Sequence, residues 1–226
     1  MTVIVTGASS GIGRAVALDL HGRGINTVLS GRNEERLSEI SDKCDKARWV
    51  AGDVSDPAVA QKLFDALPEG RIGAVFAAGV ADFGSTTTFE DEKWRAALDA
   101  NLNALYYCCK SAITEMLTRG GGRIVNVLSI AAIHPFPQSA AYVASKAGAL
   151  GLTRSLQAEF RSQGIEITAF IPGSTATELW DRQAWSPSTA DMIEPDDLGR
   201  AISDVLLSES SGVYDEVVYM PKRGIL

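Results

Sequence analysis

Cysteine and histidine are both scarce. Cys44, Cys108 and Cys109 are the only thiols in 226 residues, and there are two histidines. An odd thiol count with two of them adjacent makes no disulfide framework, and no second Cys or His pair offers zinc-ligand spacing. The thiols are therefore expected buried and reduced, and no metal is expected. Long apolar runs are missing too. Nothing approaches the ~18–20 residues that cross a bilayer. Met1 leads directly into Thr2-Val3-Ile4-Val5, without a basic leader or cleavage pattern. The expectation is a cytoplasmic protein with no membrane partner. Positive charge is in deficit as well: 21 Lys and Arg against 28 Asp and Glu give a net charge of −7. Without a basic run, nucleic acid and anionic surfaces are poor partners. What is present is ordinary for a globular chain, 46% apolar and 22% charged, which rules out disordered and fibrous classes. The length suits one domain with a sizeable core.

Short β-rich runs alternate with helical stretches. The runs at 3–5, 27–30, 48–50, 74–77, 124–128, 165–171 and 217–220 are nearly continuous in apolar residues and bounded by Gly, Asn, Asp or Pro. That is the pattern of strands covered on both faces. Helices are predicted over 12–21, 34–40, 57–67, 90–117, 140–163 and 195–207, with Pro57 and Pro195 in first turns that tolerate proline. Strict alternation predicts an α/β fold, a doubly wound parallel sheet of about seven strands with helices on both faces. No linker or repeat interrupts it, so residues 1–226 read as a single domain. Residues 174–194, rich in Thr, Ser, Trp and Asp, have the size of a lid.

The first strand runs into Thr6-Gly7-Ala8-Ser9-Ser10-Gly11-Ile12-Gly13 and then a helix. Gly7 permits the tight turn, Gly11 lets a pyrophosphate approach the backbone, and Gly13 lets the helix pack against the sheet. The helix start presents free N–H donors to the anion. A glycine-rich turn can join any strand to any helix, but a strand before and a helix after favour a nucleotide site of Rossmann type, with Ser9, Ser10 and Ile12 in the loop. The spacing T-G-x-x-x-G-x-G resembles the short-chain dehydrogenase/reductase family.

In dinucleotide folds an acid at the end of the second strand binds the ribose 2′-OH. Here Leu29-Ser30 is followed by Gly31 and Arg32. A guanidinium beside an uncharged residue can clamp a 2′-phosphate, which favours NADP(H) over NAD(H). The resemblance implies a second basic position that is Ser10 here, which weakens that preference. It also implies that Asp53, with Val54, contacts the adenine.

Ser129 lies thirteen residues before Tyr142, and Lys146 follows four later. Tyr142 and Lys146 share one helix face. A phenol of pKa about 10 is a poor base near neutrality, and a neighbouring ammonium is expected to lower that value. Ser129 ends the fifth predicted strand, where open α/β sheets hold ligands, and its hydroxyl can hydrogen-bond a substrate oxygen. Alone, the Tyr/Lys pair reads better as a half-buried helix tyrosine and a surface lysine. The resemblance makes Ser129, Tyr142 and Lys146 catalytic, with Asn101 in a proton relay through water. It further implies that Pro172, Gly173, Thr175 and Thr177 hold the nicotinamide. The family's N-N-A-G after the fourth strand is Phe76-Ala77-Ala78-Gly79 here, so only Gly79 carries over.

These residues imply an oxidoreductase that moves a hydride between NADP(H) or NAD(H) and a ketone, aldehyde or secondary alcohol. His134, Phe136, Trp180 and Trp185 are the candidate substrate walls, and their apolar bias favours an apolar small molecule. Helices bearing Leu105, Tyr106, Tyr107, Cys108, Ile113, Leu117, Leu150, Leu152 and Leu156 are apolar over more than one stripe. That breadth predicts a homodimer or homotetramer, or else a broad internal face. The alternative function is a non-catalytic dinucleotide-binding sensor. An epimerase of the extended relatives needs a larger substrate domain than this length allows.

Overall fold

Seven parallel strands lie in the order β3-β2-β1-β4-β5-β6-β7. They are β1 (Thr2–Thr6), β2 (Asn26–Gly31), β3 (Arg48–Ala51), β4 (Ile72–Phe76), β5 (Gly122–Val127), β6 (Ile165–Pro172) and β7 (Glu216–Tyr219). The computed structural model describes residues 1–45, 47–65, 67–183 and 186–225. Trp185, a candidate wall from the sequence, lies outside the described residues. The chain builds outward from β1 through β2 to β3, then returns to place β4 on the other side of β1. That reversal makes the carboxyl ends of β1 and β4 the ligand crevice of such a sheet.

Alternation along the strands feeds two cores. Val3 and Val5 of β1 pack with Val16, Leu20, Leu37, Leu198 and Ile202. These come from α1 (Gly11–Gly22), α2 (Glu34–Lys43) and α7 (Pro195–Leu207). Ile4 points the other way, into a core with Leu63, Cys108, Met116 and Ala149. That second layer holds α3 (Pro57–Lys62), α5 (Ala104–Thr118) and α6 (Ala140–Phe160). A period of two along each strand, buried on both faces, accounts for the continuous apolar runs. Local chemistry sets several helix starts. Asn33 accepts the Arg36 N–H at 2.9 Å, and Asp56 accepts that of Ala58 at 2.8 Å ahead of Pro57.

Three helical expectations need correction. The single helix at 90–117 is α4 (Asp91–Leu98), a π-helical turn (Asp99–Asn103) and α5. The extra residue of that turn coincides with Asn101, whose side chain is clamped by another loop. The helix at 57–67 stops at Lys62, where Arg48 of β3 donates to the carbonyls of Lys62 and Asp65. The long helix at 140–163 ends at Phe160, and a 3₁₀ turn leads into left-handed Gly164, φ 77°. The broad apolar stripe also resolves largely inward: Leu105, Cys108, Ile113 and Leu150 are buried in the intramolecular core. Tyr106 and Leu117 remain exposed, 44% and 42%.

Candidate active site

Backbone geometry makes the glycines of the first loop obligatory. Gly7 has φ 69°, and a Cβ there would sit 2.9 Å from the Ala77 backbone. A Cβ on Gly13 would strike the carbonyl of Gly7. Gly11 also has positive φ, 50°, and a Cβ there would lie 3.2 Å from the Thr177 side chain. The helix that starts there has no acidic residue in its first turn, and Ser10 makes no side-chain cap. Its first N–H groups are therefore free to meet an anion. A backbone cradle closed to any Cβ, with open donors, fits the diphosphate of a dinucleotide. Pro172-Gly173-Ser174-Thr175-Ala176-Thr177 is drawn onto the same spot. Gly173 N–H donates to Tyr219 O at 2.9 Å, and Thr175 Oγ1 donates to Gly173 O at 3.1 Å.

The second strand ends against this loop. A Cβ on Gly31 would lie 2.8 Å from Ser9 Oγ, so a carboxylate cannot stand there without displacing Ser9. Arg32 is exposed, and among the described residues no carboxylate pairs with it. Asp53 accepts the N–H of Ser55 at 2.9 Å. The Val54 side chain is buried in the core, so only its backbone can face a ligand. Across the groove, Arg36 of α2 forms an ion pair of 2.6 Å with Glu178, the residue after Thr177.

At the carboxyl end of β5, Ser129 begins a short turn, and its Oγ accepts the Ala131 N–H at 3.2 Å. The first two turns of α6 bring Tyr142 and Lys146 to it. Burial raises the Tyr142 phenol above its ordinary value, and a hydrogen bond with Ser129 opposes that rise. Lys146 is 6% exposed; its Nζ donates to Val127 O at 3.3 Å and stands 5.9 Å from the Tyr142 ring centre. Burial pushes its ammonium down to about 8. The expected lowering of the tyrosine by a charged lysine is not the dominant effect here, because both groups are desolvated together.

Asn101, 3% exposed, is held by three hydrogen bonds. Its Oδ1 accepts Val80 N–H at 2.8 Å, and its Nδ2 donates to Val80 O and to Ser145 Oγ, both at 2.9 Å. Ser145 in turn donates to Tyr142 O at 2.8 Å. The side chain therefore fixes the loop after β4 against α6. Gly79 is required beside it, since a Cβ would lie 2.8 Å from Asn101 Oδ1.

Of the candidate walls, Phe136 and Trp180 approach the site, and His134 is exposed. The ring that joins them escaped the sequence reading. Phe83 packs on Phe136, Tyr142 and Trp180, with centroids 5.3, 5.8 and 6.2 Å apart. It sits in an irregular loop where no periodicity marks it; its position just beyond a strand end was the one available signal. Ser145, Arg36 and Glu178 were missed because Ser145's partner Asn101, and Arg36 and Glu178 as partners of each other, are distant in sequence. Among the described residues no group of metal-ligating side chains gathers, and no helix is long and apolar enough to cross a membrane.

A family model described as short chain dehydrogenase matches residues 1–186. A 3β-hydroxysteroid dehydrogenase of Mediterraneibacter gnavus is 37% identical over 190 residues, spanning 80% of this chain and 68% of that protein. An uncharacterized oxidoreductase of Staphylococcus aureus (strain MW2) is 29% identical over 223 residues, 96% of each chain. The solved structure of a short-chain type dehydrogenase/reductase from Mycobacterium ulcerans superposes with a TM-score of 0.88 at 27% identity. That match covers 96% of this chain and 87% of that one.

Proposed function

Because this chain belongs to the short-chain dehydrogenase family, we propose that it transfers a hydride between a nicotinamide dinucleotide and a ketone, aldehyde or secondary alcohol. The observation that carries this reading is the convergence of Ser129, Tyr142 and Lys146 beside the glycine cradle. In that reading Gly7, Ser9, Ser10, Gly11, Ile12 and Gly13 hold the diphosphate, while Asp53 and the Val54 backbone face the adenine. Gly79, Pro172, Gly173, Thr175 and Thr177 border the nicotinamide. When bound, the dinucleotide supplies or accepts the hydride at nicotinamide C4.

The chain's own residues do the rest. In reduction, Ser129 Oγ hydrogen-bonds the substrate carbonyl oxygen, and Tyr142 gives that oxygen its phenolic proton as the hydride reaches the carbon. A phenol held above its ordinary pKa by burial is protonated at neutral pH, as an acid must be. Lys146 titrates near 8, so close to neutrality it supplies a cation to stabilise the phenolate left behind. Oxidation runs the same steps backwards. Asn101 holds the loop after β4 and, through Ser145, the α6 backbone at Tyr142, and from that place carries the proton relay through water that the family resemblance implies.

Arg32, beside a Gly31 where a Cβ would crowd Ser9 Oγ at 2.8 Å, favours NADP(H) over NAD(H). Residues 174–194 act as a lid over the dinucleotide, tied by Arg36 and Glu178. A homodimer or homotetramer of this cytoplasmic enzyme would cover Tyr106 and Leu117. The reading is tested by titrating NADPH and NADH by fluorescence and then following reduced-nicotinamide absorbance with a carbonyl panel. Dinucleotide binding followed by turnover is expected; no dinucleotide binding would refute it.

A further inference from the structure

We infer that Phe83 selects the substrate: with Phe136 and Trp180 it forms a ring-lined wall beside Tyr142 that favours cyclic apolar ketones and secondary alcohols over open-chain ones. This rests on Tyr142 being the reacting acid. The three rings come from three loops, following β4, β5 and β6, all at the carboxyl edge of the sheet. Phe83 meets Phe136 edge-on at 80° and Tyr142 at 75°, and Trp180 closes the third side at a 54° tilt. Phe83 is the ring common to all three contacts.

The wall is fastened by hydrogen bonds within the chain. Gly84 N–H donates to Gln138 O at 2.7 Å, joining the Phe83 loop to the Phe136 loop. Gln183 Nε2 donates to Ala81 O at 2.8 Å, joining the same loop to the Trp180 segment. Trp180 Nε1 donates to Thr175 O at 3.0 Å, which holds the indole against the residues bordering the nicotinamide. A rigid aromatic surface gains most from a ligand that is itself rigid and lays apolar area against it without losing internal rotations. An open chain of equal carbon number must surrender internal rotations to fill the same space. None of the three rings offers a counter-charge, so a substrate carboxylate or phosphate would find no partner on this wall.

The test compares 2-decalone with 2-decanone, ketones of equal carbon number, on wild type, Phe83→Ala, Phe83→Tyr and Phe136→Ala. Dinucleotide affinity and thermal midpoint are measured for each, to separate misfolding from specificity. Wild type should prefer the bicyclic ketone in kcat/KM. Phe83→Ala should cut that preference by about tenfold or more, Phe83→Tyr should retain most of it, and dinucleotide affinity should be unchanged throughout. Binding is read independently by saturation-transfer NMR of each ketone on the dinucleotide complex. Loss of the 2-decalone signal in Phe83→Ala supports the assignment even where no ketone turns over, an outcome that would count against the proposed reaction alone. Equal preference for both ketones in wild type, or a preference untouched by Phe83→Ala, overturns the assignment of Phe83.

Discussion

Glu178 Oε2 lies 2.6 Å from Arg36 Nη1, while its neighbour Thr177 occupies the side of Gly11 where a Cβ would point, 3.2 Å from that position. The segment leaving β6 is thereby tied to α2 across the glycine loop, over the path a dinucleotide's diphosphate and ribose would take. Both side chains are about half exposed, 46% and 58%, so solvent screens the pair and its contribution is small. Glu178→Gln is expected to speed release of NADPH and NADH alike by a few-fold in stopped-flow, with association less affected. The charge-exchanged double variant, Arg36→Glu with Glu178→Arg, should restore the slower release. Unchanged release in Glu178→Gln would show that the pair does not retain the cofactor.

Cofactor choice turns on two neighbouring positions. Arg32→Ala should weaken NADPH by about tenfold, the worth of a charge-assisted hydrogen bond, and leave NADH nearly untouched. Gly31→Asp should disfavour NADPH further and lower the thermal midpoint, because its Cβ would stand 2.8 Å from Ser9 Oγ. Tighter binding of NADH than of NADPH, indifferent to Arg32, would overturn the preference.

The glycine cradle predicts opposite outcomes for two alanines on one helix. A Cβ at Gly13 collides with the Gly7 carbonyl, whereas at Gly22 nothing lies within 4 Å. Gly13→Ala should destabilise by about 1–3 kcal/mol and abolish tight dinucleotide binding. Gly22→Ala should be neutral or stabilise by up to about 1 kcal/mol. Chemical denaturation and fluorescence titration read both.

Lys146 carries a pH dependence with a definite sign. Its folded pKa, near 8, is below the unfolded value of about 10.4, so between those values the unfolded chain binds more protons. Stability from this group therefore rises with pH across that window, by roughly 3 kcal/mol in all. Tyr142 shifts the other way. Its raised folded pKa contributes stability that is present below the unfolded value and is lost as pH climbs through the folded one. The gain should thus show between about pH 8 and 10. Unfolding of wild type and Lys146→Met without cofactor should differ increasingly in favour of wild type over that range. A constant difference would mean that the lysine is not held largely desolvated.

Most of the sheet was legible because strands buried on both faces write continuous apolar runs, and each predicted strand end lies within two residues of an observed one. Glycines that must be glycine, at 7, 11 and 13, were legible for the same physical reason that they are needed. What escaped was set by distant partners. The π-helical turn at Asp99–Asn103 accompanies Asn101's grip on Val80, twenty-one residues away, and no helical period reports that. Arg48 ends α3 from a neighbouring strand. Leu105 and Ile113 read as a surplus apolar face until packing placed them inside. Phe83 shares no pattern with Phe136 or Trp180, and only folding brings their three loops together.

The central claim is that Tyr142 moves the proton while the dinucleotide moves the hydride. It is tested most directly by single-turnover reduction of a ketone with NADPH, comparing wild type with Tyr142→Phe at matched cofactor saturation. The account predicts that NADPH binding persists in the variant while the rate of cofactor oxidation falls by about 10²–10⁴-fold, the usual contribution of a positioned acid. A variant that oxidises NADPH at the wild-type rate would contradict it.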